Sequence, residues 1–162
     1  MTARARYRSP LGVLSIEATD AGVLGLTFED RGPARAGVSA QARAHLDAAA
    51  LALDAYFAGR PPRQPRFDLR GTPFQLSVWE ALQAIPWGEV RTYGEIAEQV
   101  ARAGGARAVG AANGRNPVAI LVPCHRVVAA GGRLGGYSGG LDVKRWLLAH
   151  EAAHAPALRG AR

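Results

Sequence analysis

The chain predicts a two-lobed protein, an α/β N-terminal lobe followed by a mostly helical lobe with helix–turn–helix spacing. Three observations carry this prediction. The first thirty residues show short runs of strand-like alternation. A Pro- and Arg-rich stretch from Arg60 to Arg70 reads as a connector. A helix-capping signature at Thr72 then opens a series of helical patterns. The expected boundaries are 1–70 for the first lobe and 71–155 for the second, with 156–162 as a frayed tail.

In order along the chain, Arg4 to Arg8 precedes the turn Ser9-Pro10-Leu11-Gly12. Gly12–Ala18 and Val23–Phe28 follow as strands of an antiparallel sheet. Gly32 to Gly37 reads as a loop. Ser39 caps a helix to about Phe57, with Leu46, Ala50, Leu53 and Phe57 on one face and Gly59 and Pro61-Pro62 as its stop. His45 on that helix has no second ligand in view and reads as a surface histidine. Phe67-Asp68-Leu69 is a short strand or an extended linker. Thr72 with Pro73 and Gln75 forms a capping box, and Phe74, Val78, Ala81, Leu82 and Ile85 make the apolar stripe behind it. Trp79 and Trp87 read as core or lobe-interface aromatics. Thr92 caps a short helix through Ile96, Ala97 and Val100. Gly104-Gly105 supplies a turn, and a second helix runs from Arg107 through Ala112. The run Val118 to Val122 leads into Pro123-Cys124-His125-Arg126-Val127. A Gly-rich, flexible-looking loop surrounds Tyr137-Ser138. A last helix has Asp142 as a possible cap and Val143, Trp146, Leu147 and Leu148 as its apolar face, and ends near His150-Glu151.

Composition narrows the function classes. An apolar content of 48% fits a globular chain and not a disordered one. No apolar run approaches the roughly 20 residues that a membrane span needs, so no membrane partner is expected. A single cysteine excludes an internal disulfide and points to a reducing, cytoplasmic setting. One thiol and four scattered histidines have no familiar zinc-ligand spacing, and neither metal nor cofactor is expected. The formal charge is +7, and no acidic residue lies between Glu98 and Asp142. That stretch carries Arg102, Arg107, Arg115, Arg126 and Arg133 around Cys124. Such a field is expected to favour the thiolate and to attract a polyanion such as DNA.

Cys124 beside His125 is a candidate nucleophile and base, and a carboxylate would be needed to orient the imidazole. The nearest downstream acids are Asp142 and Glu151. A buried inert thiol is the competing reading, and it weakens in an acid-free basic segment beside a helix–turn–helix pattern. The second helix of that pattern is made of Ala, Gly and Val. Small side chains cannot read base edges, but they let a helix backbone approach a duplex closely.

Pro123 to Val127 resembles the active-site signature of the O6-alkylguanine-DNA alkyltransferases. The resemblance extends over Gly71 to Gln75, Pro86 to Val90, Thr92 to Ala97 and Arg107 to Gly110. It continues over Asn113 to Pro117, Gly136 to Gly140 and Trp146 to Glu151, about half of the chain in all. It implies a ribonuclease H-like N-terminal lobe and a helix–turn–helix that enters the minor groove. It implies direct-reversal repair of double-stranded DNA, in which O6-alkylguanine, with O4-alkylthymine as a second candidate donor, gives its alkyl group irreversibly to Cys124. His125 would take the thiol proton through a water, Glu151 would orient His125, and Asn116 would hold the turn. Arg107 would fill the gap left by the flipped base, with Ala108, Gly110, Ala111 and Arg115 on the DNA-binding surface. Tyr93 would crowd the 3′ phosphate and hydrogen-bond the guanine ring. The Val127 and Cys124 carbonyls would read its exocyclic amine, and Tyr137 and Ser138 would line the alkyl pocket. A stand-alone monomer that can cluster on double-stranded DNA is the implied form.

Three alternatives make different demands. A non-catalytic binder of alkylated DNA would lack Cys124. A helix–turn–helix regulator would need base-reading side chains that the Ala/Gly helix does not offer. A cysteine hydrolase would turn over and would have no use for the basic surface.

Overall fold

A computed structural model describes residues 2–34, 37–100 and 105–155. Three strands, β1 (Ala3–Ser9), β2 (Gly12–Ala18) and β3 (Val23–Thr27), form an antiparallel sheet in sequence order. The β1–β2 register pairs Ser9 with Gly12 across a tight turn, and Gly12 takes φ 103°, which favours glycine.

Helix α1 (Ala40–Phe57) lies across this sheet. Its Ser39 cap accepts from the Ala42 amide and donates to Asp20 in the β2–β3 turn, so the cap also anchors the helix to the sheet. The buried face is Ala42, Leu46, Ala49, Leu53 and Tyr56, packed in one core with Leu14, Ile16 and Leu26. The stripe expected through Ala50 and Phe57 is only half-buried. Alanine occupies several faces of this helix, so its apolar pattern does not single out the face that meets the sheet.

The outer edge of β3 is covered twice, which positions the site. Near its start Val23 exchanges backbone hydrogen bonds with Arg66 and Asp68, both 2.8 Å, so the connector runs parallel to the strand. Near its end the Leu26 amide donates to Pro117 (2.9 Å) and its carbonyl accepts from Ala119 (3.1 Å). An otherwise open strand edge thereby ties the segment before Cys124 to the sheet.

The remaining elements are α2 (Pro73–Gln83), β4 (Arg91–Thr92), α3 (Tyr93–Gln99), α4 (Gly105–Gly114), β5 (Val127–Val128) and α5 (Leu141–Ala153). Thr72 and Thr92 each close a capping box, with Gln75 and Glu95 respectively. The buried Trp79 of α2 donates its indole N–H to the Ala112 carbonyl (2.9 Å), fixing α2 to α4. The parallel pair β4–β5 sets the start of α3 beside the residues that follow Cys124. Of the turn expected at Gly104-Gly105, Gly104 lies outside the described residues, as do Arg102 and the tail from 156, and Gly105 opens α4 at φ 57°.

Helix α5 departs from expectation in two ways. Its N-cap is Gly140 at φ 99°, and Asp142 sits in the first turn with a fully exposed side chain. Its buried face is Lys144, Leu147 and Glu151, two of them charged, and the helix continues to Ala153. The charges are buried because each finds partners around the cysteine.

Candidate active site

The turn that carries the cysteine is built by Asn116. Its Oδ1 accepts from the Val118 amide (3.0 Å), and its Nδ2 donates to the Val122 carbonyl (2.7 Å). Within that bracket the Val122 amide bonds the Val118 carbonyl (3.0 Å), and Ile120 takes φ 70°. A β-branched residue in the left-handed region is strained and persists only where its surroundings determine it. The apolar run is therefore a buried turn, and it delivers Cys124 to the start of a 3₁₀ turn, Cys124–Arg126.

Cys124 opens onto a cavity of about 610 Å³. Arg107 and Gly110 of α4 form one wall and Tyr93 at the start of α3 a second. Tyr137 and Ser138 close it from the loop before α5. Tyr93 packs its hydroxyl on Gly135, where an added Cβ would lie 2.8 Å from that oxygen. Gly135 also has φ 72°, so glycine is required there twice over. Arg107 is exposed at the cavity rim. On the same helix Ala111 is exposed and Ala108 half-buried, Arg115 is exposed just beyond its end, and none of the three lines the cavity.

Behind the cysteine lies a buried relay. His125 is fully buried, and its Nε2 meets Glu151 Oε2 at 2.5 Å. Since the carboxylate is acceptor-only when ionised, Nε2 carries the proton and Nδ1 is left with its lone pair. Nδ1 has no protein hydrogen bond among the described residues. Burial alone would raise the Glu151 carboxyl, but hydrogen bonds and charge from His125 and Arg126 outweigh it and hold it at about 2. Burial lowers His125 below its usual value, so its resting form is neutral.

Two expectations about charge need correction. Arg126 is not part of a basic surface. It is buried, donates Nε to Glu151 Oε1 (2.7 Å) and donates to the Ile85 carbonyl (2.8 Å). The Cys124 thiol is raised, not lowered, because burial outweighs the Asn116 and Tyr137 side chains facing the sulfur and the nearby Lys144 charge. The resting pair is thus a thiol and a neutral imidazole, and ionisation has to be coupled to proton transfer.

Val127 is fully buried behind the cavity wall, and its carbonyl accepts from Lys144 Nζ (2.7 Å), which leaves one lone pair. The Cys124 carbonyl already accepts from Asn113 Nδ2 (3.3 Å) and from the Val127 amide. Four neighbours of this site were not singled out as site residues from sequence: Tyr56, Asn113, Arg126 and Lys144. Lys144 had a visible signal, being the single lysine among twenty basic residues. It is fully buried and donates to the carbonyls of Val127, Leu134 and Gly136, so the Gly-rich loop is held from below.

Residues 73–153 match the family model for the 6-O-methylguanine DNA methyltransferase DNA-binding domain. A methylated-DNA–protein-cysteine methyltransferase of Mycolicibacterium paratuberculosis is 51% identical over 152 residues, covering 92% of each chain. That of Mycobacterium leprae is 50% identical over 143 residues, covering 86% of each. Among solved structures, the Mycobacterium tuberculosis O6-methylguanine methyltransferase superposes with a TM-score of 0.81 at 43% identity, over 97% of this chain and 96% of that one. The M. tuberculosis OGT in complex with DNA superposes with a TM-score of 0.80 at 45% identity, over 94% of each chain. With its lone cysteine at the base of the cavity and relatives of this name along nearly its whole length, the chain belongs to the O6-methylguanine-DNA methyltransferase family.

Proposed function

We propose that this protein repairs double-stranded DNA by moving an alkyl group from O6 of guanine to Cys124, once per molecule. The observation that carries this reading is that Cys124 lines an open cavity and is followed directly in the chain by a buried His125 whose Nε2 meets Glu151. The bare Nδ1 of His125 takes the thiol proton through a bridging water, and Sγ attacks the alkyl carbon. The carbon–O6 bond breaks, and guanine leaves with the electron pair and is protonated. A soft thiolate suits displacement at carbon. The product is a thioether, and nothing in the site can cleave it, so the molecule is spent. The buried raised thiol fits this role, because the nucleophile is unmasked only when His125 accepts its proton.

Access to O6 requires the base to leave the stack, at a cost of a few kcal/mol. Arg107, exposed at the rim, offsets that cost by filling the gap. The small residues of α4, half-buried Gly110 and exposed Ala111, with Arg115 just beyond the helix, suit close approach in the minor groove. Ala108 sits at the margin of that surface. Tyr93 meets the guanine ring and the 3′ phosphate, the free lone pair of the Val127 carbonyl takes the exocyclic amine, and Tyr137 and Ser138 contain the alkyl group. In this reading residues 1–70 are a ribonuclease H-like lobe and 71–155 the DNA-binding and transfer lobe, with α3 and α4 as a helix–turn–helix. The protein acts in the cytoplasm as a monomer that can cluster along DNA. No helix among the described residues is long and apolar enough to cross a membrane.

Arg107→Ala tests the duplex part of this reading. Repair of O6-methylguanine in duplex DNA is expected to fall by roughly tenfold or more, as a loss of stabilisation of the flipped state requires. Reaction with a free O6-alkylguanine base should change little. An equal loss on both substrates would contradict a role for Arg107 in base flipping.

A further inference from the structure

Glu151 is held by three donors, and one of them comes from α1. Tyr56, in the last turn of that helix, donates its hydroxyl to Glu151 Oε2 at 2.6 Å. The same oxygen faces His125 Nε2 at 2.5 Å, while Arg126 Nε holds Oε1 at 2.7 Å. Tyr56 is fully buried, and its ring lies 5.1 Å from that of Trp87 and 6.4 Å, edge-on, from that of His125. Its carbonyl is also gripped, accepting from His150 Nε2 at 2.6 Å, one residue before Glu151. Helix α5 therefore engages Tyr56 at both backbone and side chain.

Packing alone does not call for a tyrosine here. Phenylalanine would supply the same ring, and a buried hydroxyl is unfavourable unless it is hydrogen-bonded. The hydroxyl is spent on the oxygen that orients the imidazole. We propose that Tyr56 is a positioning residue for alkyl transfer, its hydroxyl fixing Glu151 Oε2 against His125 Nε2 so that Nδ1 stays free to take the thiol proton. This rests on the alkyl-transfer reading above and assigns a part in that chemistry to the N-terminal half of the chain.

The charge balance around the pair sets the direction of the effect. The groups facing His125 and Glu151 are Tyr56 from α1, Arg126 from the 3₁₀ turn, Tyr137 from the loop, and Lys144 on α5. Arg126 and Lys144 oppose an imidazolium directly. Tyr56 opposes it by drawing on the charge of the shared oxygen. Without that hydroxyl the carboxylate charge falls more fully on His125, which then protonates at higher pH.

The test is Tyr56→Phe in the full-length chain, with single-turnover transfer from an O6-methylguanine duplex measured from mildly acidic to mildly alkaline pH. The rate at neutral pH is expected to fall about tenfold, and the acid limb to move up by about one pH unit, the size of effect a charge-assisted hydrogen bond carries. A wild-type rate with a wild-type acid limb would overturn the proposal, whatever happens to the melting temperature. A second readout needs no activity. The ¹⁵N resonances of His125 should titrate at higher pH in the variant, and identical titration in the two proteins would overturn the proposal. If the wild-type chain accepts no methyl group, the alkyl-transfer reading fails, and the ¹⁵N titration still decides whether Tyr56 governs His125.

Discussion

Glu151→Gln is expected to slow alkyl transfer by about 10²–10⁴-fold, the range that positioned acid–base groups supply. It is also expected to cost about 3–5 kcal/mol of stability, because it leaves the buried Arg126 without its ionic partner. The amide keeps one acceptor where the carboxylate served three donors, Tyr56, His125 and Arg126. If its NH₂ faces His125, Nε2 must become the acceptor and Nδ1 takes the proton, which removes the base. Denaturant unfolding and single-turnover rates measure the two effects separately.

The same carboxylate sets the acid stability of the wild-type protein. Its folded value of about 2 lies below the ordinary 4.5. The unfolded chain therefore binds more protons between those values, and the stabilisation present above pH 4.5 is lost as pH falls towards 2. The gap corresponds to roughly 3 kcal/mol. His125 acts in the same sense, since burial holds it below 6.5 and the unfolded chain is protonated first. Stability should accordingly begin to fall below about pH 6.5, and in Glu151→Gln the further loss below pH 4.5 should shrink.

Lys144→Met carries the second large effect. Its Nζ serves the carbonyls of Val127, Leu134 and Gly136, and no carboxylate shares it among the described residues. Methionine fills similar space but leaves those carbonyls without their donor, an expected loss of roughly 3 kcal/mol. The loop that carries Tyr137 and Ser138 loses its support. The Lys144 charge also favours the Cys124 thiolate. Its removal should move the alkaline limb of thiol reactivity with a small alkylating reagent to higher pH. A variant with unchanged stability and an unchanged limb would show that Lys144 supports neither loop nor thiol.

Local signals in the sequence were the most legible. The caps at Ser39 and Thr72 and the turn at Ser9 to Gly12 depend on neighbours within a few residues, and they appear where expected. Thr92 heads its helix for the same reason. The misjudged features are long-range. The apolar stripe of α5 was sought in Val143, Trp146, Leu147 and Leu148, and of these Leu147 is fully buried, yet Lys144 and Glu151 share the buried face with it because partners elsewhere in the fold satisfy them. Arg126 looked like surface charge for the same reason. Its acid lies 25 residues away, beyond the acid-free segment. The two-residue pair β4–β5 is too short to show a period, and Ile120 at φ 70° has no residue-type signal at all. Tyr56 lay one position from the stripe assigned to α1, and its hydroxyl partner is 95 residues distant. At the site, Cys124, His125 and Glu151 could be named together through the family resemblance. The raised state of the thiol could not, because burial decides it against the local positive charge.

The central claim is that Cys124 is a single-use alkyl acceptor. The most direct measurement is the intact mass of the protein after incubation with excess duplex containing O6-methylguanine, followed by peptide mapping. One methyl per molecule, on the peptide holding Cys124, with repair stopping at one guanine per protein and none with Cys124→Ala, is the predicted result. Repair that continues past one guanine per protein, or that survives Cys124→Ala, would contradict it.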